Sequence, residues 1–433
     1  MVSGLYPQEP QSVDREFGSC AVDPPGGEGA RSGVAPVLFP GRSALVVAGP
    51  PPPVASGGRI VCYVAALVEQ FAKAFGPLNL LMREMSRYLL FVNLPYAYPI
   101  LRPLQAEILR RGGEVAWFVE KECPDELRSD EIRLGTVHEV IDFNPVAVFT
   151  PGNYIPHFFP GVKVALFHGY PINKRNDHRD DHFTIRGWFD LYCTQGPSST
   201  LVFEQLERKC GFFRVYETGW PKADIYFSSE MQVNARNVRP TVLYSSTFTR
   251  SLTSAPLLAE EIERLLVARD WNWIFMFHPK LTDPDILDRY KRIATEYPNT
   301  TYVGNTFDVT AMHKADVMLC DSSSIILEFM FLDKPVVTFR NSHPGPYLID
   351  VRRPEEVGPA LERALTRPDE LMREVRTYTM FHEPHRDCRC SARVLDAVDD
   401  FLERGHVGLK RKPLNLIRKW KMRRKFHYWP FRK

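Results

Sequence analysis

The stretch Ala315–Phe339, A-D-V-M-L-C-D-S-S-S-I-I-L-E-F-M-F-L-D-K-P-V-V-T-F, decides the fold class of this chain. Val317–Cys320 is a short apolar run of the buried-strand type, and a helical apolar pattern follows from Ile325 to Leu332. Lys334-Pro335 stops that helix, and Val336–Phe339 returns as a second strand. The unit is β-α-β, with Asp321, Ser322, Ser323 and Ser324 gathered at one strand-to-helix junction. In an open α/β sheet this junction lies at the carboxyl end of the strands, where ligands bind. Backbone N–H groups at a helix start, with hydroxyls beside them, suit an anion and most naturally a phosphate. Capping the helix would use one of these residues and leaves the other hydroxyls unexplained.

Outward from this stretch the same alternation continues. Upstream, strands are expected at Tyr88–Asn93, Val115–Val119, Val137–Ile141, Val146–Phe149, Lys163–Phe167, Leu191–Thr194 and Phe213–Glu217. Helices are expected around Leu101–Arg111, closed by Gly112-Gly113, and at Pro197–Cys210. A second run begins at Thr241–Tyr244 and continues through a helix at Pro256–Arg269, a strand at Trp273–Phe277, a helix at Asp285–Tyr297 and a strand at Thr301–Val303. Helices at Pro354–Leu365 and Arg386–Leu402 follow Phe339, the second with Asp387 as its cap. The expected fold is α/β, with two doubly wound Rossmann-like halves facing across a cleft. The boundaries read 85–235 for the N-terminal half, 236–405 for the C-terminal half and 406–433 for a tail. Residues 1–84 are rich in Gly, Pro and Ser and are expected to be disordered, apart from a helical pattern at Ile60–Met82. Met82 and Met85 stand just before the first strand, so a downstream start is the competing reading of that extension.

The composition is 44% hydrophobic and 25% charged, that of a globular protein. The eight cysteines are scattered, which points to a reducing compartment rather than a disulfide framework. No apolar run reaches the ~18 residues of a membrane span, and Met1 does not open a signal peptide. A cytoplasmic location is therefore expected. The net charge of +3 conceals an asymmetry: Lys410–Lys433 holds eleven Lys/Arg and no acidic residue, and the rest of the chain is net acidic.

Four polar clusters fall just after strands: His168-Gly169, Ser245–Arg250, His278-Pro279-Lys280 and Asp321–Ser324. Together they supply a base, donors for phosphate oxygens and cationic side chains. That is a kit for moving a group attached to a nucleotide diphosphate, with no metal or other cofactor required. His382, His385, Cys388 and Cys390 fit no standard zinc spacing.

These positions resemble the CDP-glycerol glycerophosphotransferases of teichoic acid and capsule synthesis, which have a GT-B fold. The resemblance rests on F-H-G at Phe167–Gly169, T-Q-G-P-S-S at Thr194–Ser199, G-W-P-K-A-D at Gly219–Asp224, H-P at His278-Pro279, and D-S-S-S at Asp321–Ser324 with Glu328 seven positions on and K-P after it. It implies a donor such as CDP-glycerol in the second half. Ser246, Thr247, Arg250, Lys280, Asp321, Ser322, Ser323 and Ser324 would bind the donor, with Arg250, Ser323, Ser324 and a catalytic His278 at its diphosphate, and Glu328 would face the ribose. His168 would be the general base, with Gly169, Pro221 and Asp224 on the side of a lipid-linked or polymer acceptor, and CMP would leave. Ser322 stands where the family usually has Tyr, Trp220, Lys222 and Ala223 alter G-Y-P-R-N-D, and Glu328 replaces Asp. A nucleotide-sugar transferase or epimerase of the same fold is the second reading, and an inactive relative serving as a binding subunit the third.

In the tail, Lys410, Arg411, Lys412, Arg418, Lys419, Lys421, Arg423, Arg424 and Lys425 interleave with Leu414, Ile417, Trp420 and Phe426. This pattern suits a helix lying on an anionic membrane surface at the inner face of the cell membrane, in preference to nucleic acid.

Overall fold

The structure, a computed structural model, describes residues 86–94, 96–170, 181–228, 238–278, 280–304 and 308–429. The expectations for residues 1–84, for most of Asn173–His182 and for Pro279 lie outside these. Strands β1 (Arg87–Val92), β2 (Glu114–Val119), β3 (Ala147–Thr150), β4 (Val162–Ala165), β5 (Leu191–Thr194) and β6 (Arg214–Glu217) form one parallel sheet in the order β2-β1-β3-β4-β5-β6. Strands β7 (Thr241–Tyr244), β8 (Asn272–Met276), β9 (Thr300–Gly304), β10 (Val317–Cys320), β11 (Val336–Phe339) and β12 (Ile349–Val351) form a second, in the order β12-β11-β10-β7-β8-β9.

Both sheets are buried on two faces, which is why their strands read as continuous apolar runs. In β1, Leu90 and Val92 enter one core while Leu89 and Phe91 enter another on the opposite face. The first of these cores also takes in Leu243, Met318, Phe329 and Val336, so the two halves share apolar packing. Strand order reverses between β1 and β3 in the first sheet and between β7 and β10 in the second. Loops leaving adjacent strands at such a switch point diverge and open a crevice.

Helices α1 (Tyr98–Arg110), α3 (Pro197–Cys210), α4 (Ala223–Phe227), α5 (Ala255–Ala268), α6 (Pro284–Glu296) and α8 (Ile325–Met330) connect strands. Val137–Ile141, expected as a strand, lies instead in helix α2 (Val137–Phe143). Thr136 caps it by accepting the Glu139 N–H at 3.2 Å, and the buried Val137 and Val140 have helical spacing. Helix α7 (Val309–Lys314) precedes β10, and α9 (Val357–Leu365) follows β12. Helix α10 (Asp369–His382) was not expected from the sequence.

Helix α11 (Cys390–Arg404) returns to the first sheet and packs on α1. There Arg111 Nη1 meets Asp396 at 2.8 Å, and Tyr216 OH donates to Asp400 at 2.6 Å. Asp387, expected as its cap, binds the Arg389 N–H and Arg393. The cap comes from elsewhere: Asp224 accepts the N–H groups of Cys390 and Ser391, both at 2.9 Å. The tail forms α12 (Leu416–Lys425), which buries Met422 and docks Phe426 among Phe91, Phe118, Phe158 and Phe159. Two cations assigned by sequence to a membrane are instead paired within the protein. Lys412 Nζ lies 2.6 Å from Asp190, and Lys425 pairs with the buried Glu120. Among the described residues no helix is long and apolar enough to cross a membrane.

Candidate active site

The second sheet presents the loops after β7 and β10 side by side at its switch point. Asp321 ties them together. Its fully buried carboxylate accepts from Ser246 Oγ at 2.5 Å, from Ser254 Oγ at 3.0 Å, and from the N–H groups of Thr247, Ser254 and Ser322. Burial pushes the Asp321 carboxyl above its ordinary value, and these hydrogen bonds from Ser246, Ser254 and Thr247 pull it back. Asp321 and Ser246 therefore hold the loop, and Ser322 Oγ likewise accepts the Ser342 N–H at 2.9 Å. The side chains of Ser323 and Ser324 are half-buried and make no hydrogen bond among the described residues. Arg250 is exposed beside this loop and forms no ion pair among the described residues.

After β8 comes His278, whose Nδ1 accepts the Lys280 N–H at 3.0 Å. An Nδ1 that accepts leaves the neutral ring with its proton on Nε2, a donor suited to a phosphate oxygen. His168, after β4, has the opposite arrangement. Its Nδ1 lies 3.3 Å from the Pro151 carbonyl, which can only accept, so Nδ1 carries the proton and Nε2 holds a lone pair. The exposed His168 follows Phe167, whose φ of 57° is costly for a residue with a Cβ. Packing sustains that conformation: the Phe167 ring lies 4.9 Å from Phe203, and Trp220 Nε1 donates to the Phe167 carbonyl at 3.2 Å. A Cβ built on Gly169 would meet none of the described residues within 4 Å.

A chain of contacts joins the two imidazoles. The Tyr96 ring lies 5.7 Å from His168, and Lys280 Nζ stands 5.9 Å from Tyr96 and 5.6 Å from Phe248. Phe248 is 4.5 Å from His278. Tyr96 follows β1 and Phe248 follows β7, so each switch point contributes an aromatic ring between the histidines. Lys280 has no carboxylate partner among the described residues, which leaves its charge available in the cleft. Burial raises the Tyr96 phenol, which stays protonated. Neither Tyr96 nor Phe248 carries a motif of its own, and the sequence does not flag them.

The G-W-P-K-A-D stretch forms the seam between the halves. Lys222 Nζ meets Glu328 at 2.6 Å with both side chains nearly buried, and Tyr226 OH also donates to Glu328. The carboxylate read as a ribose contact is thus engaged by the opposite half. Pro221 is buried in the same turn, and Asp224 serves as the cap described above. Gly219, at φ 76°, has no room for a side chain: a Cβ would stand 2.5 Å from Cys390 Sγ.

Beside it lies Glu383, which the sequence did not flag. It is fully buried and accepts from Tyr170 OH at 2.8 Å, from the Trp220 N–H at 2.8 Å and from the His385 N–H at 3.2 Å. Burial pushes its carboxyl up to about 8. His382 is buried against Tyr378, and His385 pairs with Glu217, so these histidines are committed to packing and pairing.

Two Rossmann-type halves whose strand-end loops meet in one cleft make up a GT-B fold. The family model of the CDP-glycerol:poly(glycerophosphate) glycerophosphotransferases matches residues 162–399, and the chain belongs to that family. Solved structures show the same fold. The wall teichoic acid polymerase TagF matches with a TM-score of 0.52 and 13% identity, over 80% of this chain and 97% of that one. A TagF variant soaked with CDPG matches with a TM-score of 0.52 and 13% identity, over 74% and 90%. The S. aureus MnaA–UDP structure matches with a TM-score of 0.52 and 14% identity, over 76% and 99%. A comparison with curated proteins gives no match.

Proposed function

We propose that this protein transfers a glycerol-phosphate group from CDP-glycerol, or a related polyol-phosphate from its CDP-linked donor, to a hydroxyl of a lipid-linked or polymer acceptor. The observation that carries the reading is the pair of histidines whose Nδ1 atoms meet opposite partners, a carbonyl at His168 and an N–H at His278, joined through Tyr96, Lys280 and Phe248. His168 Nε2 takes the proton of the acceptor hydroxyl as its oxygen attacks the phosphorus nearer the glycerol. The bond from that phosphorus to the bridging oxygen breaks, and the oxygen leaves with CMP. His278 Nε2–H, Lys280 and Arg250 stabilise charge on the diphosphate oxygens, and Ser323 and Ser324 add hydroxyl donors. The first half would hold the acceptor and the second the donor.

The family match and the CDPG bound to the TagF variant favour the CDP-linked donor over a nucleotide sugar. We place the enzyme at the inner face of the cell membrane because α12 and the segment leading into it expose Arg411, Arg418, Lys421 and Arg424 beside Leu414, Leu416, Ile417 and Trp420. Offering CDP-glycerol, CDP-ribitol and UDP-sugars with a membrane extract tests the proposal. CMP release from CDP-glycerol, lost in His168→Ala, is expected. UDP release or sugar epimerisation would replace the reading with a nucleotide-sugar enzyme, and no turnover of any donor would favour a binding subunit.

A further inference from the structure

Where α12 lies against the loop after β3, two buried side-chain nitrogens lack partners among the described residues. His157 Nδ1 and Arg423 Nη1 are both shut off from solvent and have no hydrogen-bond partner among the described residues. Leaving such groups unsatisfied is costly, and each calls for an explanation. The two residues flank one ring. The His157 imidazole lies 5.1 Å from Phe158, and the Arg423 guanidinium stands 5.6 Å over the same ring. Lys419, one turn before Arg423, shares its helix face and forms no ion pair among the described residues.

The charge around His157 is all of one sign. Burial first, and then Arg423, Lys419 and Lys163, lower its imidazole to about 4, with no acidic residue acting against them. The acidic residues nearest along this face are already engaged: Glu120 and Glu122 lie against Lys425, and Asp190 against Lys412. A cluster of cations and N–H donors without a protein anion is suited to an oxyanion. Arg423 offers a planar fork, His157 a single N–H and Lys419 a mobile ammonium, a set that fits the tetrahedral oxygens of a phosphate.

We propose that His157, Lys419 and Arg423 form a phosphate-binding site at the junction of α12 and the first half. Its ligand is a phosphate monoester or diester, either the headgroup of an anionic lipid or a free phosphate. The exposed Leu416, Ile417 and Trp420 on the same helix would enter the bilayer beside a seated headgroup, which favours the lipid. That choice rests on the membrane placement above, whereas the site itself does not.

The test compares K419Q/R423Q with K421Q/R424Q, a double variant that removes the same charge from the exposed face of the same helix. Sedimentation with vesicles of phosphatidylglycerol in phosphatidylcholine reads the lipid arm. Charge alone lowers vesicle affinity about fivefold for each cation removed, in both variants. The site predicts a further loss of about tenfold in K419Q/R423Q only, the worth of one charge-assisted hydrogen bond. Thermal unfolding with added inorganic phosphate reads the other arm: phosphate also reaches the cleft and stabilises every variant, so the site predicts a smaller rise in melting temperature for K419Q/R423Q than for the wild type and K421Q/R424Q. In the unsubstituted protein, phosphate should also move the His157 ring signals in the NMR spectrum, which needs no variant to fold. Phosphate binding without vesicle binding keeps the site and removes the membrane reading. Vesicle binding that falls equally in both variants, with unmoved His157 signals, overturns the site and leaves the membrane reading in place.

Discussion

Glu383 sets a measurable pH dependence on stability. Its carboxyl is pushed up to about 8 in the folded protein, whereas in the unfolded chain it titrates near the ordinary value of 4.5. A raised value means that the folded state holds the proton longer, so the stabilisation is complete below 4.5 and is lost as pH rises through 8. Each pH unit inside that window removes ~1.4 kcal/mol. Three buried or half-buried histidines, His157, His182 and His382, are lowered to about 4 and stop contributing above their unfolded value of 6.5. Lys163 and Lys334, lowered to about 8, contribute only above that pH. Between pH 6.5 and 8 Glu383 therefore dominates, and the wild type should lose ~2 kcal/mol. Glu383→Gln keeps one oxygen for Tyr170 and Trp220 but turns an amide toward the His385 N–H, which costs about 1 kcal/mol at any pH. Urea denaturation across this range should show the variant less stable at pH 6.5, with the curves converging or crossing by pH 8. Parallel curves for the two proteins would refute the buried, protonated carboxyl.

Other perturbations follow from the same contacts. Lys222→Met should destabilise by about 3–5 kcal/mol, because it strands Glu328 without its cation, and the double variant with Glu328→Leu should recover most of this in the same denaturation assay. Phe426→Ala should lower stability by about 2 kcal/mol and expose α12 to proteolysis, since its ring anchors the tail among four phenylalanines. Lowering the pH from 6.5 toward 4 should destabilise the fold as the unfolded chain takes up protons that His182 and His382 resist, and His382→Gln should flatten that slope in a thermal scan.

The α/β class and the strand-end clusters were legible because buried parallel strands are uniformly apolar and end abruptly in polar loops. Val137–Ile141 misled because its β-branched residues suggest a strand, although Val137, Val140 and Ile141 also have helical spacing. The roles of Asp321 and Asp224 were not legible. A carboxylate at a strand end looks the same in sequence whether it faces a ligand, ties two loops or caps a helix more than 160 residues away. Tyr96 and Glu383 lie outside every motif and Phe248 is an apolar residue within a polar cluster, and all three gain their partners only where loops from separate strands converge. The tail's charge was evident, but its division between inward cations such as Lys412 and Lys425 and outward ones such as Lys421 depends on where Asp190 and Glu120 lie.

Helix α11 has a mechanical consequence. The chain leaves the first half between Phe227 and Thr241 and returns to it between His382 and Cys390, so two covalent strands tie the halves together. A body held by one tether can twist, slide and swing. A body held by two pins can only rotate about the line through them. Glu383 and its partners Tyr170 and Trp220 stand at the second pin. His168 and His278 therefore sit on bodies that the backbone joins twice, which narrows the ways in which one can approach the other.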